Sequence, residues 1–269
     1  MVKDFNKFFE ANKKIWNQKT PFHVKSEFYN VEKFKEGAAS LMPTELEELS
    51  DVKGKSILHL QCHFGQDSIS LSRMGANVTG VDFSDEAINY AKNLADELDT
   101  NTKFLCTNIY DLPDILDEQF DIVFTSYGTI GWLPDIKKWA EIAAKFLRPG
   151  GMFYIVDFHP YIMMLDNEFE FIHYSYFYNA NPIVDEYEGS YADQNAPIKN
   201  ISYGWNHPIS EVINSLLSQN LIIKQFNEYP YSHYNCFPNM KAVGDKKYVF
   251  KNFEDKIPYM YSIKAVKES

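Results

Sequence analysis

The chain has 269 residues, 45% of them hydrophobic and 16% aromatic, so it can bury one large core or a core carrying a sizeable insertion. Asp and Glu outnumber Lys and Arg by 37 to 26, which gives a formal net charge of −11. A surface this acidic repels phosphate backbones and anionic membranes, and no cluster of Lys and Arg provides a basic groove. We therefore expect neither nucleic acid nor a membrane as the partner.

Cysteine content and hydropathy indicate the compartment. The three cysteines, Cys62, Cys106 and Cys236, are odd in number and widely spaced, which disfavours a disulfide scaffold and favours a reducing environment. The first residues, MVKDFNKFFEANKK, lack the apolar core of a secretion signal, and no apolar run is long enough to cross a bilayer. We expect a cytoplasmic globular protein, either a monomer or a homodimer.

Secondary structure is predicted from the hydrophobic pattern. Residues 1–50 are polar with helical spacing and predict an N-terminal cap. Helices are predicted at 67–75, from the N-cap Ser84 to Leu98, and at 136–146, the last stopped by the turn Arg148–Gly151. Between them lie five short apolar segments that predict strands: Ser56–Leu60, Asn77–Asp82, Thr102–Cys106, Phe120–Ser126 and Met152–Asp157.

The alternation breaks after Asp157. Residues 161–207 are rich in Tyr, Phe, Asn and Asp without a clear period, and we interpret them as a lid-like insertion. Residues 208–269 restore a helix at 209–220 and add strands at 221–229 and 258–267. The pattern predicts a single α/β domain with a doubly wound, mostly parallel seven-stranded sheet; its cofactor-binding core is residues 51–160.

Ligands of such sheets bind outside the carboxyl ends of the strands. Asp82 closes the second strand, where an acidic group can accept hydrogen bonds from both hydroxyls of a ribose. The alternative role, a charge that favours the next helix, is already filled by Asp85 and Glu86. The sequence therefore favours Asp82 as a ribose ligand.

Four motifs in order resemble the class I S-adenosylmethionine-dependent methyltransferases. Val78–Ile88, with the sequence VTGVDFSDEAI, resembles the second motif of that family, and Thr107–Pro113 resembles its Gly-Asp-Ala-x-x-Leu-Pro stretch. Phe120–Gly128 resembles its fourth strand, and Leu147–Asp157 its last helix, turn and fifth strand. The resemblance covers residues 56 to about 160 and implies a Rossmann-like methyltransferase fold that uses S-adenosyl-L-methionine.

The resemblance also implies individual roles. Asp82 would bind the ribose and Phe83 would lie beside the adenine, while Asn108 stands where an Asp commonly meets the adenine amino group. An Asn can still accept that bond through its carbonyl oxygen. The implied cofactor site consists of Leu60, Gln61, Cys62, His63, Gly65, Asp82, Phe83, Asn108, Ile109, Ser126 and Tyr127.

The turn after the first strand departs from the family pattern. The usual motif is an acidic residue followed by Gly-x-Gly-x-Gly, whereas here His59 takes the acidic place and Gln61 and His63 take the first two glycine places. Gly65 keeps the third. Such a turn would obstruct the pyrophosphate of NAD more than it would obstruct S-adenosylmethionine, which has none. His59, Cys62 and His63 could also converge on a metal, but we favour a packed histidine under the loop and expect no metal.

The acceptor side is predicted from polar and aromatic residues at the strand ends and in the insertion. Methyl transfer needs a nucleophile held in line with the sulfonium methyl, and a general base only if that nucleophile keeps its proton. Tyr127 and His159 are the catalytic candidates, although His159 could equally anchor its loop. Trp132, His159 and Tyr203 are the candidates for contacting a small-molecule acceptor.

Two other functions remain open from the sequence. The altered turn is compatible with a non-catalytic S-adenosylmethionine-binding protein. An acid after the second strand is also found in NAD(P)-dependent oxidoreductases, although the missing Gly-x-Gly-x-x-Gly counts against that class.

Overall fold

The structure is a computed structural model, and it describes residues 5–254 and 256–268. The chain divides into two compact units. The first extends to Phe120 and includes Pro182–Gly204, and the second comprises Asp121–Asn181 together with the chain from Trp205 onward. The first therefore contains most of the predicted cofactor residues and part of the predicted insertion.

Seven α-helices are found in the described part of the chain. Three of them make up the predicted N-terminal cap, whose first four residues lie outside the described residues. The helices are α1 Asn6–Lys25, α2 Val31–Lys35, α3 Pro43–Glu48, α4 Gln66–Arg73, α5 Asp85–Glu97, α6 Ile136–Phe146 and α7 Ile209–Leu217. Ser84 caps α5 as predicted, because its hydroxyl accepts the backbone N–H of Ala87 at 3.1 Å.

Eleven strands are present among the described residues. They are β1 Ser56–Leu60, β2 Asn77–Asp82, β3 Lys103–Cys106, β4 Phe120–Thr125, β5 Leu147–Phe158, β6 Ile183–Glu188, β7 Lys199–Gly204, β8 Leu221–Tyr229, β9 Met240–Gly244, β10 Lys247–Phe250 and β11 Met260–Lys267. Seven of them form the central sheet in the order β3-β2-β1-β4-β5-β11-β8.

The sheet confirms the predicted fold class. β2 pairs in parallel with β1 and β3, whereas β11 pairs antiparallel with β5 and β8, so the sheet is mostly parallel with an antiparallel edge. The positions of all seven predicted strands are correct within a few residues, except that β5 begins at Leu147 and includes the predicted turn Arg148–Gly151. Two small hairpins, β6–β7 and β9–β10, were not predicted.

The core of the first unit is formed by α2, α4, α5 and the strands they cover. β1 and β2 are buried along almost their whole length, which explains why they read as continuous apolar runs. The shared cluster combines aromatic and aliphatic side chains, all at most 5% exposed: Val31, Phe34, Cys62, Phe64, Ile69, Ala87, Ile88, Ala91, Leu94, Ala95 and Phe104.

The second unit has its own aromatic core next to the antiparallel strands. Phe250 is fully buried and packs against Phe169 and Tyr259, with ring centroids 5.1 and 5.3 Å apart. The Tyr259 hydroxyl accepts the backbone N–H of Phe250 at 3.0 Å, so this buried polar group is satisfied. Of the helices in the described ranges, none combines the length and apolar character that a membrane span requires.

Candidate functional site

The turn after β1 has an alternating backbone. Gln61, His63 and Gly65 all have positive φ, at 56°, 52° and 84°. Glycine adopts this left-handed conformation without steric cost, whereas a side chain makes it unfavourable by about 1–2 kcal/mol. The three residues occupy the positions that carry the glycines of Gly-x-Gly-x-Gly in the methyltransferases that the sequence resembles. The turn therefore keeps a backbone suited to glycine although two of the glycines are absent.

Asp82 is bound to this turn. Its Oδ2 accepts the backbone N–H of His63 and its Oδ1 accepts that of Ser84, both at 2.9 Å. Burial raises the pKa of Asp82 to about 6, although these backbone hydrogen bonds act in the opposite direction. Each carboxylate oxygen has a second lone pair, so Asp82 can still accept hydrogen bonds from two ribose hydroxyls. The hydrogen-bond acceptors of Asp82 fit the ribose hydroxyls of the expected cofactor.

The remaining predicted adenosine contacts follow the neighbouring strands of the same unit. Phe83 comes directly after β2 and is half-buried, and Ile109 is buried after β3. The Oδ1 atom of Asn108 accepts the backbone N–H of Tyr110 at 3.1 Å. This bond fixes the Asn108 side chain at the end of β3 and leaves its amide group able to bind further polar groups.

Helix α1 crosses the carboxyl ends of the first three strands. Phe9 contacts Tyr110 after β3 with ring centroids 5.6 Å apart, and Asn17 Oδ1 accepts the Ser84 hydroxyl after β2 at 2.6 Å. Near the end of the helix, His23 bonds to His63 after β1. The contacts along α1 therefore follow the strand order β3-β2-β1, and the helix covers the predicted nucleoside site.

Two histidines and a serine form a hydrogen-bonded chain in this unit. His23 Nδ1 lies 2.9 Å from His63 Nε2, and His23 Nε2 lies 2.6 Å from Ser190 Oγ. Burial lowers the pKa of His23 to about 2 and that of His63 to about 3, so both rings are neutral at pH 7. The neighbouring positive charge of Lys19 lowers both pKa values further.

Lys19 is a buried cation beside this chain. Its ammonium donates a short hydrogen bond to the Tyr187 hydroxyl and lies 4.9 Å from the ring centroids of both Trp16 and Tyr187. The residue is only 2% exposed, and burial lowers its pKa to about 8. Aromatic faces partly compensate for the lost hydration of such a charge.

The predicted histidine under the loop is His59. It is 1% exposed, its Nδ1 lies 2.8 Å from Ser68 Oγ, and burial lowers its pKa to about 3. Cys62 is also buried and packs in the core of the first unit. Among residues 5–254 and 256–268, no three His, Cys, Asp or Glu side chains are arranged to hold a metal ion.

Ser126, Tyr127 and Trp132 belong to the second unit. Ser126 is buried directly after β4, and its backbone carbonyl accepts the Thr129 hydroxyl at 2.7 Å. Tyr127 packs against Phe158 and Tyr234, with ring centroids 5.7 and 4.9 Å apart. Trp132 is half-buried at the end of a short 3₁₀ helix, Ile130–Trp132.

Asp157 organises the loop after β4. Its carboxylate accepts backbone N–H groups of Gly128, Thr129, Ile130 and Phe158. Burial raises its pKa to about 6, against the effect of these bonds. These contacts are those of a structural acid.

His159 lies in the second unit, and one of its two ring nitrogens is hydrogen-bonded. Its Nδ1 accepts the backbone N–H of Tyr161 at 3.1 Å, and its Nε2 lies 3.0 Å from Glu228 Oε1. The residue is 2% exposed, and burial lowers its pKa to about 4. This geometry includes the loop-anchoring contacts that the sequence offered as the alternative to catalysis.

Tyr203, the remaining acceptor-side candidate, lies on β7 in the first unit. Its backbone exchanges two hydrogen bonds with the Asn12 side chain, at 2.8 and 3.0 Å, and its ring packs 4.8 Å from that of Phe8. Tyr203 therefore helps to hold α1. The sequence did not single out His23, Lys19 or Ser190. The first two lie on a mainly polar helix, and the sequence carried no other signal of their role.

Comparison with known proteins agrees with this geometry. Residues 57–151 match the model of a family described as a methyltransferase domain. The matched segment lies within the predicted cofactor-binding core and covers less than half of the chain. Over 106 residues the chain is 34% identical to the ubiquinone biosynthesis O-methyltransferase of Coxiella burnetii, an alignment that covers 39% of this chain and 44% of that protein. The chain thus aligns with less than half the length of this relative.

Solved structures share the fold over most of the chain. A putative S-adenosylmethionine-dependent methyltransferase from Listeria monocytogenes has a TM-score of 0.60 at 18% identity, covering 84% of this chain and 98% of its own. Geranyl diphosphate C-methyltransferase from Streptomyces coelicolor, solved with Mg²⁺, geranyl diphosphate and S-adenosyl-L-homocysteine, has a TM-score of 0.53 at 14% identity and covers 83% and 78%. The fold inferred from the sequence motifs is confirmed, and the match to the methyltransferase domain applies to residues 57–151.

Proposed function

We propose that this protein is an enzyme that transfers the methyl group of S-adenosyl-L-methionine to a small-molecule acceptor. The observation that carries the proposal is the bond between the left-handed turn and Asp82. The turn keeps its left-handed backbone although two of the three usual glycines are absent. Its backbone donates to a buried carboxylate that can still accept two ribose hydroxyls. The sulfonium of the cofactor supplies an activated methyl group, so the protein needs only to orient the acceptor and exclude water.

The predicted site residues have two proposed roles, binding the cofactor and acting on the acceptor. In the first unit, Asp82, Phe83, Asn108 and Ile109 bind the adenosine, and Leu60–Gly65 frames the methionine part. Ser126 and Tyr127 complete the proposed cofactor site, and Tyr127 and His159 are proposed catalytic groups. Trp132, His159 and Tyr203 are proposed to contact the acceptor.

Helix α1 supports a small acceptor and a shielded reaction. It covers the ends of β1, β2 and β3 through the contacts of Phe9, Asn17 and His23. A covered site excludes water from the sulfonium and leaves room for a compact substrate rather than a polymer. The acidic charge and the three unpaired cysteines support a reaction in the cytoplasm without nucleic acid.

Thermal unfolding with ligands tests the proposal. We expect S-adenosylmethionine and S-adenosylhomocysteine, each at a hundredfold excess over its Kd, to add about 2.7 kcal/mol of stability. That corresponds to a rise in Tm of about 5–10 °C, which Asp82→Ala should abolish. A shift with NAD alone would identify an oxidoreductase instead. Adenosyl binding without S-adenosylhomocysteine formation from any acceptor would favour the non-catalytic alternative.

A further inference from the structure

A group of polar side chains in the first unit includes neither of the catalytic candidates found in the sequence. It combines a cation, two imidazoles and two hydroxyls, and it draws them from α1, the turn after β1 and residues 183–204. We call it the Lys19 cluster, and its members are Lys19, His23, His63, Tyr187 and Ser190.

The cation of this cluster is suited to an anionic ligand. Lys19 is 2% exposed, and burial lowers its pKa to about 8. The charge of Asp185 partly offsets this effect of burial, and an oxyanion bound beside the ammonium would act in the same direction. Lys19 donates to the hydroxyl of Tyr187, a neutral phenol whose pKa is raised by burial and by Asp185.

His63 is a weak proton acceptor, because burial and the charge of Lys19 lower its pKa to about 3. When the proton of His63 is on Nε2, that N–H donates to His23 Nδ1, and the Nε2–H of His23 donates to Ser190 Oγ. His63 Nδ1 then keeps a lone pair, and it makes no hydrogen bond to any residue in the described part of the chain. His63 is also the residue whose backbone bonds to Asp82, so its ring belongs to the turn that frames the proposed cofactor site.

Aromatic rings surround the histidine pair. Trp16 and Tyr29 lie 5.1 and 5.6 Å from the His63 ring between centroids, both in edge-to-face geometry, and Tyr191 lies 4.9 Å from the His23 ring. Such rings favour another aromatic ring at their faces or edges. The cluster thus offers an apolar, aromatic surround with one cation and one proton acceptor.

We propose that the Lys19 cluster binds the methyl acceptor, and that this acceptor is a small aromatic compound with a phenolic hydroxyl. Lys19 holds the oxygen, His63 takes its proton, and His23 and Ser190 are positioning residues that orient His63. The inference rests on the proposed methyl transfer. It assigns the acceptor and its proton to this cluster in place of the candidates from the sequence, Tyr127, Trp132, His159 and Tyr203. Of these, His159 already accepts a backbone N–H at Nδ1.

The acceptor O–H bond breaks and its proton binds to Nδ1 of His63. Because the pKa of His63 is only about 3, this transfer takes place as the forming O–CH₃ bond makes the proton strongly acidic. The oxygen forms the new O–CH₃ bond while the S–CH₃ bond of the sulfonium breaks, its electrons stay on sulfur, and S-adenosylhomocysteine results. The positive charge moves from the sulfonium to the histidine pair, which Lys19 disfavours and Asp82 favours. The ionisable groups that face the pair from the packed elements are Lys19, Tyr29, Asp82 and Tyr191.

The first experiment measures the ionisation of a bound phenol. 4-Nitrophenol is titrated spectroscopically in the presence of the protein saturated with S-adenosylhomocysteine, because its neutral and ionised forms absorb differently. We expect the apparent pKa of the bound probe to fall by about one unit or more, a tenfold gain in ionisation. Lys19→Met should abolish the shift, and Lys14→Met, an exposed lysine on the same helix, should keep it. Circular dichroism verifies that both variants fold.

The second experiment separates proton transfer from positioning. S-adenosylhomocysteine formation is measured with 4-methoxyphenol, which keeps its proton at neutral pH, and with 4-nitrophenol at a pH where it is ionised. His63→Gln should slow the first reaction about 100-fold, the usual contribution of a general base, and leave the second nearly unchanged. His159→Gln should not show this difference between the two probes.

The outcomes distinguish the two proposals. Four results would each overturn the Lys19 cluster as the acceptor site. In the first experiment they are a probe that titrates as in free solution and a shift that survives Lys19→Met. In the second they are equal slowing of both phenols by His63→Gln and no turnover of either phenol by a protein that binds S-adenosylmethionine. Methyl transfer itself would then still stand. Failure to bind either adenosyl ligand would instead contradict the proposed function.

Discussion

The backbone N–H of His63 donates a hydrogen bond of 2.9 Å to the carboxylate of Asp82. This bond joins the turn after β1, which departs from the family pattern, to the acid at the end of β2, which follows it. It shows why the turn tolerates the loss of two glycines. The contact needed there is made by a backbone group, which every residue except proline provides.

Loss of the Asp82 charge should weaken cofactor binding. Hydrogen bonds to a charged group are worth about 1.5–3 kcal/mol each, and Asp82 is proposed to make two to the ribose. Asp82→Asn is therefore expected to raise the Kd of S-adenosylhomocysteine about 100-fold or more, measured by isothermal titration calorimetry. Asp96→Asn, at an exposed position on α5, is the matched control and should bind as the wild type does. Equal affinity of the two variants would remove Asp82 from the site.

Cofactor affinity should depend on pH through the same carboxylate. Burial raises the pKa of Asp82 to about 6, so the group is ionised at pH 7 and becomes protonated below pH 6. Only the ionised form can accept both ribose hydroxyls. The Kd should therefore rise as the pH falls below 6, approaching a tenfold rise per unit, and calorimetry between pH 5 and 8 measures it. A curve for Asp82→Asn with the same slope would contradict this assignment.

Stability should fall on mild acidification because several buried histidines stay neutral in the folded protein. A histidine with a lowered folded pKa binds its proton mainly in the unfolded chain, so stability is full above pH 6.5 and is lost as the pH falls below that value. Each such group costs about 1.4 kcal/mol per pH unit. Four of them, His23, His59, His63 and His159, have folded pKa values of about 4 or lower, and burial lowers the pKa of His233 as well.

Two carboxylates change the pH dependence of stability in the opposite direction. The pKa values of Asp82 and Asp157 are both raised to about 6, so the folded protein gains protons between pH 6 and 4 and is stabilised as the pH falls. Between pH 7.5 and 5.5 the histidines dominate, and the net loss is about 4 kcal/mol. Urea denaturation at both pH values measures it. Equal stability would show that the histidines accept protons in the folded state.

Gly65 should be intolerant of any side chain. Its φ is 84°, and a Cβ placed there would lie 2.5 Å from Cζ of Phe104. Gly65→Ala combines an unfavourable backbone with overpacking and should cost about 2–4 kcal/mol of unfolding free energy. Gly54→Ala is the matched control, since φ is 76° but nothing lies within 4 Å, and it should cost only about 1 kcal/mol. Similar losses in both variants would show that the Phe104 ring moves aside freely.

The central sheet could be predicted because its signals are local. Buried strands such as β1 and β2 appear as short apolar runs, and α5 has a serine cap and a clear helical period. Asp82 was predictable for the same reason, since the end of a strand fixes the place of the next residue. These features depend on a few neighbouring residues and on strand geometry that is common to all parallel sheets.

The Lys19 cluster could not be predicted, because no local pattern brings its members together. His23 and Ser190 are separated by 167 residues, and the bond between them depends on how α1 packs against the hairpin β6–β7. That hairpin was itself missed. Its strands are half exposed, and the segment between them lacks the short two-residue turn that marks a hairpin in a sequence.

The separation of these contacts along the chain bears on how the protein is made. The first unit includes Pro182–Gly204, and Asn12 on α1 bonds to Tyr203, 191 residues later. During synthesis, α1 emerges from the ribosome long before the hairpin that holds it exists. Contacts between such distant residues form slowly because a long loop must close first. We expect the nascent chain to keep α1 without its contacts to the hairpin until about three quarters of the sequence has been translated, which makes chaperone binding most valuable in that interval.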